Sequence, residues 1–147
     1  MLYVDADACP VRDEALKVAE RYGIAVVYVT NGGLRPSRHP LARIQMVPEG
    51  ADAADKWIAE RVGPGDVCVT SDVPLAARVV EAGATALAPD GQPFTAANVG
   101  ARLALRDLMA DLRAADPFRQ GGGKPFSPAD RSRFLDALDR LLRPGRA

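Results

Sequence analysis

Cysteine is scarce in this chain. Cys9 and Cys68 are the only two among 147 residues, too few for a disulfide framework or a four-cysteine zinc site. That usage suits a reducing compartment. The single histidine, His39, sits in a polar stretch without the partner ligands that a zinc centre needs. Net charge is lacking too, because nineteen Lys plus Arg balance nineteen Asp plus Glu. A strongly basic nucleic-acid binder is therefore not indicated, and any affinity for a polyanion has to come from a local patch. No apolar run is long enough to span a bilayer. Met1 leads straight into a strand-like run rather than a basic and then apolar leader. The expectation is a cytoplasmic protein with no membrane partner, and the length is that of one domain with a real core. Composition leaves the oligomeric state open.

What the chain does have is an alternation of short β-branched runs with amphipathic segments. Leu2-Tyr3-Val4 is a first strand, ending in Asp5 and Asp7. Pro10 is expected at or near the first position of a helix that reaches Tyr22, since a missing N–H costs little there. Gly23 stops that helix. Residues 24–29, 44–47, 67–70 and 84–88 read as four further strands, the run at 24–29 being continuous enough for a buried parallel strand. Helices are expected over Asp52–Val62, Val73–Ala82, Thr95–Ala114 and from Ser127 to Leu142. Ser127-Pro128-Ala129-Asp130 has the form of an N-cap with proline first and an acid third. Residues 116–124 form a glycine-rich linker. Strands alternating with helices predict a parallel sheet covered on both faces by right-handed crossovers. The α/β part covers residues 1–92 and the C-terminal helices 93–147, within one domain.

Acids recur where such strands end. Asp5 with Asp7, Asp52 with Asp55, Asp72, and Asp90 all fall at strand ends or just beyond. Each has an ordinary explanation: Asp caps helices and builds turns. Together they point to chemistry, because ligands of open parallel sheets bind beyond the carboxyl ends of the strands. Carboxylates crowded there repel one another. Hard oxygen donors suit Mg²⁺ or Mn²⁺, and two such ions can activate water and stabilise the leaving oxygen of a phosphodiester. Asp5, Asp7 and Asp72 are the candidate catalytic residues. Asp5, Asp7, Asp52, Asp55, Asp72 and Asp90 are the candidate ligands. The proline-interrupted loop from Leu34 to Arg43 carries Arg35, Arg38 and Arg43. With Asn31 at a strand end, and Lys124 and Arg131 near the last helix, these are the candidate nucleic-acid contacts. Cys9 is expected to be an inert thiol, and Cys68 and Trp57 to be core.

The segments DADACPV, GADAADKWIAERV, GDVCVTSDVPLAARVVEAGA and KPFSPADRSRF, in that order, resemble the YaiI/YqxD family of bacterial proteins, which is grouped with PIN-like domains. The resemblance covers nearly the whole chain. It implies a three-layer α/β/α PIN-like domain with a central parallel sheet of four to five strands, and a metal-dependent nuclease acting on RNA or structured nucleic acid. By that resemblance Asp5 matches the first-strand acid of PIN-like sites, Asp72 the acid after the fourth strand, and Asp90 the further downstream acid. The middle acid, often Glu in PIN domains, is here Asp52 or Asp55. Asp7 is a feature of the narrower family. The tail departs from the family's usual Gly-Pro pair, reading Gly121-Gly122-Gly123-Lys124. Two alternatives remain open on the sequence. One is a haloacid-dehalogenase-type phosphatase with Asp5 as nucleophile and Asp7 as general acid, although Cys9 stands where Thr or Val is usual. The other is a non-catalytic nucleic-acid-binding or regulatory module.

Overall fold

A computed structural model describes residues 1–7, 9–34, 39–50, 52–115 and 126–144. Strand β1 (Leu2–Asp5) is followed by α1 (Arg12–Tyr22), β2 (Val26–Thr30), β3 (Ala42–Met46), α2 (Ala53–Ala59), β4 (Val67–Val69), α3 (Val73–Glu81), β5 (Thr85–Leu87), β6 (Pro93–Phe94), α4 (Val99–Ala115) and α5 (Pro128–Leu142). The sheet runs β3-β2-β1-β4-β5-β6. The first five strands are parallel, as the sequence predicts, and β6 is an antiparallel two-residue edge strand beside β5. Its Pro93 and Phe94 are too short a stretch to show periodicity, so sequence alone does not reveal it.

Strand side chains alternate between faces, and the sheet divides the core accordingly. Leu2, Val4, Val26, Tyr28, Val67 and Val69 pack with Val18 of α1 and with Phe134 and Leu138 of α5. Tyr3, Val27, Val29, Cys68 and Ala86 pack on the other face with Ile58 of α2 and with Leu75 and Val79 of α3. Helix α4 lies mainly against α3. The result is a three-layer α/β/α arrangement with both sheet faces covered, which is why the strands read as unbroken apolar runs.

Helix boundaries follow local chemistry. Helix α1 ends where Gly23 adopts a left-handed φ of 67°. Helix α5 opens with a full capping box: the Asp130 amide donates to Ser127 Oγ at 3.1 Å, and the Ser127 amide donates to Asp130 Oδ2 at 3.0 Å. Gly91 is required for another reason. Its φ is 90°, and a Cβ there would lie 2.6 Å from the Arg133 carbonyl carbon, so the turn after β5 touches the α5 backbone directly. Pro10 lies outside α1, because Val11 is the N-cap and the helix starts at Arg12. Helix α2 is shorter than its sequence pattern, ending at Ala59. Helix α4 begins at Val99 because Thr95 and Asn98 first exchange capping bonds through their side chains.

Candidate functional site: carboxylates at the switch point

In the order β3-β2-β1-β4-β5-β6, the chain winds outward from β1 in one direction and from β4 in the other. The crevice between the carboxyl ends of β1 and β4 is therefore the topological switch point, where open parallel sheets bind ligands. Asp5 closes β1, and Thr70 follows β4. The two-residue period puts both on the Tyr3 and Cys68 face, under α2 and α3. The Thr70 hydroxyl donates to Asp5 Oδ2 at 2.9 Å, and Thr70 Oγ1 in turn accepts the Asp72 amide at 3.0 Å. Asp72 caps α3, its Oδ1 accepting the Leu75 amide at 3.1 Å.

Asp55 comes to the same place from α2. It is buried, at 6 % exposure, and is the one buried carboxylate among the described residues. Its carboxyl is pushed up to about 6, first by burial and then by the charges of Asp72, Asp5 and Asp52, with Arg78 opposing weakly. Asp5 is also raised, first by burial; the Thr70 hydrogen bond works against this, while Asp72 and Asp7 add to it. Asp72 acts on both Asp5 and Asp55, and Asp5 acts on Asp55, so the three share one electrostatic neighbourhood, with Asp52 exposed at the α2 N-cap, where its side chain makes no capping bond. The Asp55 side chain takes part in no hydrogen bond or ion pair among the described residues. As placed, no three Asp, Glu, His or Cys side chains among the described residues could hold a metal ion. The donor chemistry nevertheless fits a hard divalent cation, because the acids are all oxygen ligands and the buried member has no cation paired with it.

Asp7 acts on Asp5 by its charge but is held on the other side of β1. Its Oδ1 accepts the Thr30 hydroxyl at 2.7 Å and its Oδ2 accepts the Asn31 amide at 3.0 Å. Asp5 thus leans to β4 and Asp7 to β2, on either side of β1. Asp90 is apart as well. Its Oδ1 accepts the Gln92 amide at 3.1 Å in an Asx turn, and it is not among the charges acting on Asp5 or Asp55.

The expected basic contacts fare unevenly. Arg35, Arg38 and Lys124 lie outside the described residues. Arg43 belongs to β3 rather than to the loop before it. As the second residue of that strand, paired with Val27, it sits towards the amino-terminal edge of the sheet, away from the acids. Arg131 ion-pairs with Glu14 of α1 and lies over the Phe126 ring, a contact that ties α5 to α1. Asn31 is exposed beside Asp7. Cys9 and Cys68 are buried, and burial pushes both thiols up, as expected of inert cysteines. Trp57 is half-buried rather than core, edge-on to Tyr3 and covered by Arg61 at 4.0 Å.

Two residues beside the acids are not marked by the sequence motifs. Thr30 and Thr70 are each 1 % exposed, and each hydroxyl serves an acid and the backbone amide two residues on. The available signal was the repeated strand ending Val-Thr, at Val29-Thr30 and Val69-Thr70. A hydroxyl at such a point can close a turn and still reach a neighbouring strand.

The fold and the crevice define an α/β/α protein with an acidic switch point. The chain belongs to the uncharacterized bacterial YaiI/YqxD family, which it matches over residues 3–144. A UPF0178 protein of Cereibacter sphaeroides is 66% identical over 142 residues, covering 97% of this chain and 88% of the relative. UPF0178 proteins of Roseobacter denitrificans and Rhodopseudomonas palustris are 63% and 55% identical over the same length, covering 97% of this chain and 94% and 89% of theirs. No solved structure matches the chain significantly. Among the described residues no helix is long and apolar enough to cross a membrane.

Proposed function

We propose that this protein is a Mg²⁺- or Mn²⁺-dependent nuclease that hydrolyses phosphodiesters of RNA or structured nucleic acid. The observation that supports this reading is the buried Asp55 carboxyl, in no ion pair among the described residues and raised by burial and then by the charges of Asp72, beyond β4, and Asp5, at the end of β1. Like charges under burial are costly unless a cation offsets them. Asp5, Asp55 and Asp72 would hold the metal, which supplies a water of lowered pKa and stabilises charge on the leaving oxygen. Thr70 orients Asp5 and holds the Asp72 backbone, so acids from β1 and β4 keep a fixed relation. Asp7 anchors the segment after β1 to the end of β2. The resemblance to PIN-like domains supports the same assignment for Asp5 and Asp72, and burial favours Asp55 over exposed Asp52 as the middle acid.

The phosphatase alternative is weaker. Both oxygens of Asp7 accept hydrogen bonds from Thr30 and Asn31, an acceptor's arrangement and not that of an acid poised to donate a proton. The binding-module alternative differs from the nuclease only in turnover. Purified protein should be assayed on labelled single-stranded, duplex and flap substrates with Mg²⁺, with Mn²⁺ and with EDTA. Metal-dependent cleavage lost in Asp5→Asn and Asp55→Asn supports the nuclease. Tight binding without cleavage in any metal assigns the module instead.

A further inference from the structure

One cavity lies beside Asp5, Asp55 and Asp72 without containing them, though Asp90 and Asp130 stand in its wall, Asp90 engaged by the Gln92 amide and Asp130 by Arg133 and the Ser127 amide. It opens beyond the carboxyl ends of β4 and β5 and has a volume of about 550 Å³. Ser71 on its wall is the residue between Thr70 and Asp72, so the cavity begins one residue from the acidic crevice. Pro10, Pro89, Phe94 and Phe126 give it apolar surface. That volume falls in the range of organic-ligand sites and is far larger than a bare phosphate needs.

Its two arginines differ. Arg133 is ion-paired with Asp130, which is itself engaged in the Ser127 capping box. The Arg102 guanidinium lies 3.9 Å from the centre of the Phe94 ring, and it makes no ion pair or side-chain hydrogen bond among the described residues. Phe94 is 3 % exposed and so forms a fixed support. One face of the guanidinium is stacked while its N–H edge stays unspent. Such an edge matches phosphate oxygens in fork geometry.

We propose that this cavity receives one nucleotide unit of the strand whose phosphodiester lies at the acids, with Arg102 holding a phosphate and the apolar walls covering the base or sugar. The inference rests on the nuclease reading, since continuity with the acidic crevice is what selects a strand over a free nucleotide.

The test is equilibrium binding in EDTA, so that metal plays no part, with 5′-AMP, a short oligoadenylate and inorganic phosphate as probes. The oligonucleotide should bind more tightly than 5′-AMP, and 5′-AMP more tightly than phosphate. Arg102→Gln should weaken nucleotide binding about tenfold or more, and Arg102→Lys should weaken it less. Unchanged thermal midpoints in both variants establish that the fold is intact. Phosphate competing as well as 5′-AMP, no binding by wild type, or equal binding by Arg102→Gln each overturns the proposal. Equal affinity for 5′-AMP and the oligonucleotide overturns the strand assignment in favour of free nucleotides. Metal-dependent cleavage with no nucleotide binding in EDTA sinks this inference alone. Nucleotide binding with no cleavage in any metal sinks the nuclease reading alone.

Discussion

The Thr70 hydroxyl donates to Asp5 Oδ2 at 2.9 Å while accepting the Asp72 amide at 3.0 Å. One buried side chain thereby links the acid that ends β1 to the acid that caps α3. Thr30 does the corresponding work for Asp7 on the opposite side of β1, at 2.7 Å. The two threonines explain why Asp5 and Asp7, only two residues apart, serve different strands.

Thr70→Val keeps the shape and removes both bonds. It leaves a part-buried Asp72 amide unmet, a loss of about 1–3 kcal/mol. It also removes the one interaction that lowers the Asp5 carboxyl, so Asp5 rises further. Denaturant unfolding measures the first effect, and carboxyl NMR titration of Asp5 in wild type and variant measures the second. An unchanged Asp5 titration contradicts the role given to Thr70.

Asp55 makes stability depend on pH. Its folded-state value, about 6, lies above the ordinary carboxylate value of 3.8. The folded state therefore holds a proton that the unfolded state releases. Its stabilising contribution is complete below about pH 4 and is lost as pH rises through about 6. Without metal, Asp55→Asn should stabilise the protein at pH 8 by about 1–2 kcal/mol, the discount being for solvent screening. It should gain little at pH 4. Chemical denaturation in EDTA across that range checks the sign; a wild type and variant that stay parallel contradict it.

Gly91→Ala tests the contact between the β5–β6 turn and α5. A left-handed φ and a Cβ 2.6 Å from backbone cannot both be relieved without moving the helix. A loss of about 2–4 kcal/mol is expected. Ser127→Ala, which removes the capping box at the start of the same helix, should cost only about 1 kcal/mol. Urea unfolding of the two variants gives the comparison, and a milder effect at Gly91 than at Ser127 is the adverse result.

Much of this architecture is legible in the residues. The β-branched runs at Val26–Val29 and Val67–Val69 are strands because both their faces are covered, and Ser127-Pro128-Ala129-Asp130 states its own cap. Local pattern does not report what depends on a partner. Arg43 reads as part of a basic loop, yet β3 claims it through pairing with β2. Arg131 reads as a phosphate contact, and its ion pair with Glu14, far away in sequence, is not visible in the local pattern. The acids are visible as strand-end residues. Which of them meet is set by strand order, because β1 has β4 on one side and β2 on the other, and neither neighbour is given by local sequence. Asp55 separates from Asp52 only through burial, which follows from how α2 seats on the sheet.

Asp5, Asp55 and Asp72 are proposed to hold a divalent cation at the switch point. Thermal unfolding during a Mn²⁺ titration tests it most directly, because a ligand that binds only the folded state raises the midpoint by mass action. Wild type should shift upward with millimolar Mn²⁺, by several degrees if binding contributes about 1–2 kcal/mol. Asp5→Asn combined with Asp72→Asn should abolish the shift, whereas Asp90→Asn, in its separate turn, should retain it. A wild-type midpoint that does not move across that titration, or a shift that survives in the Asp5→Asn, Asp72→Asn double variant, contradicts the claim.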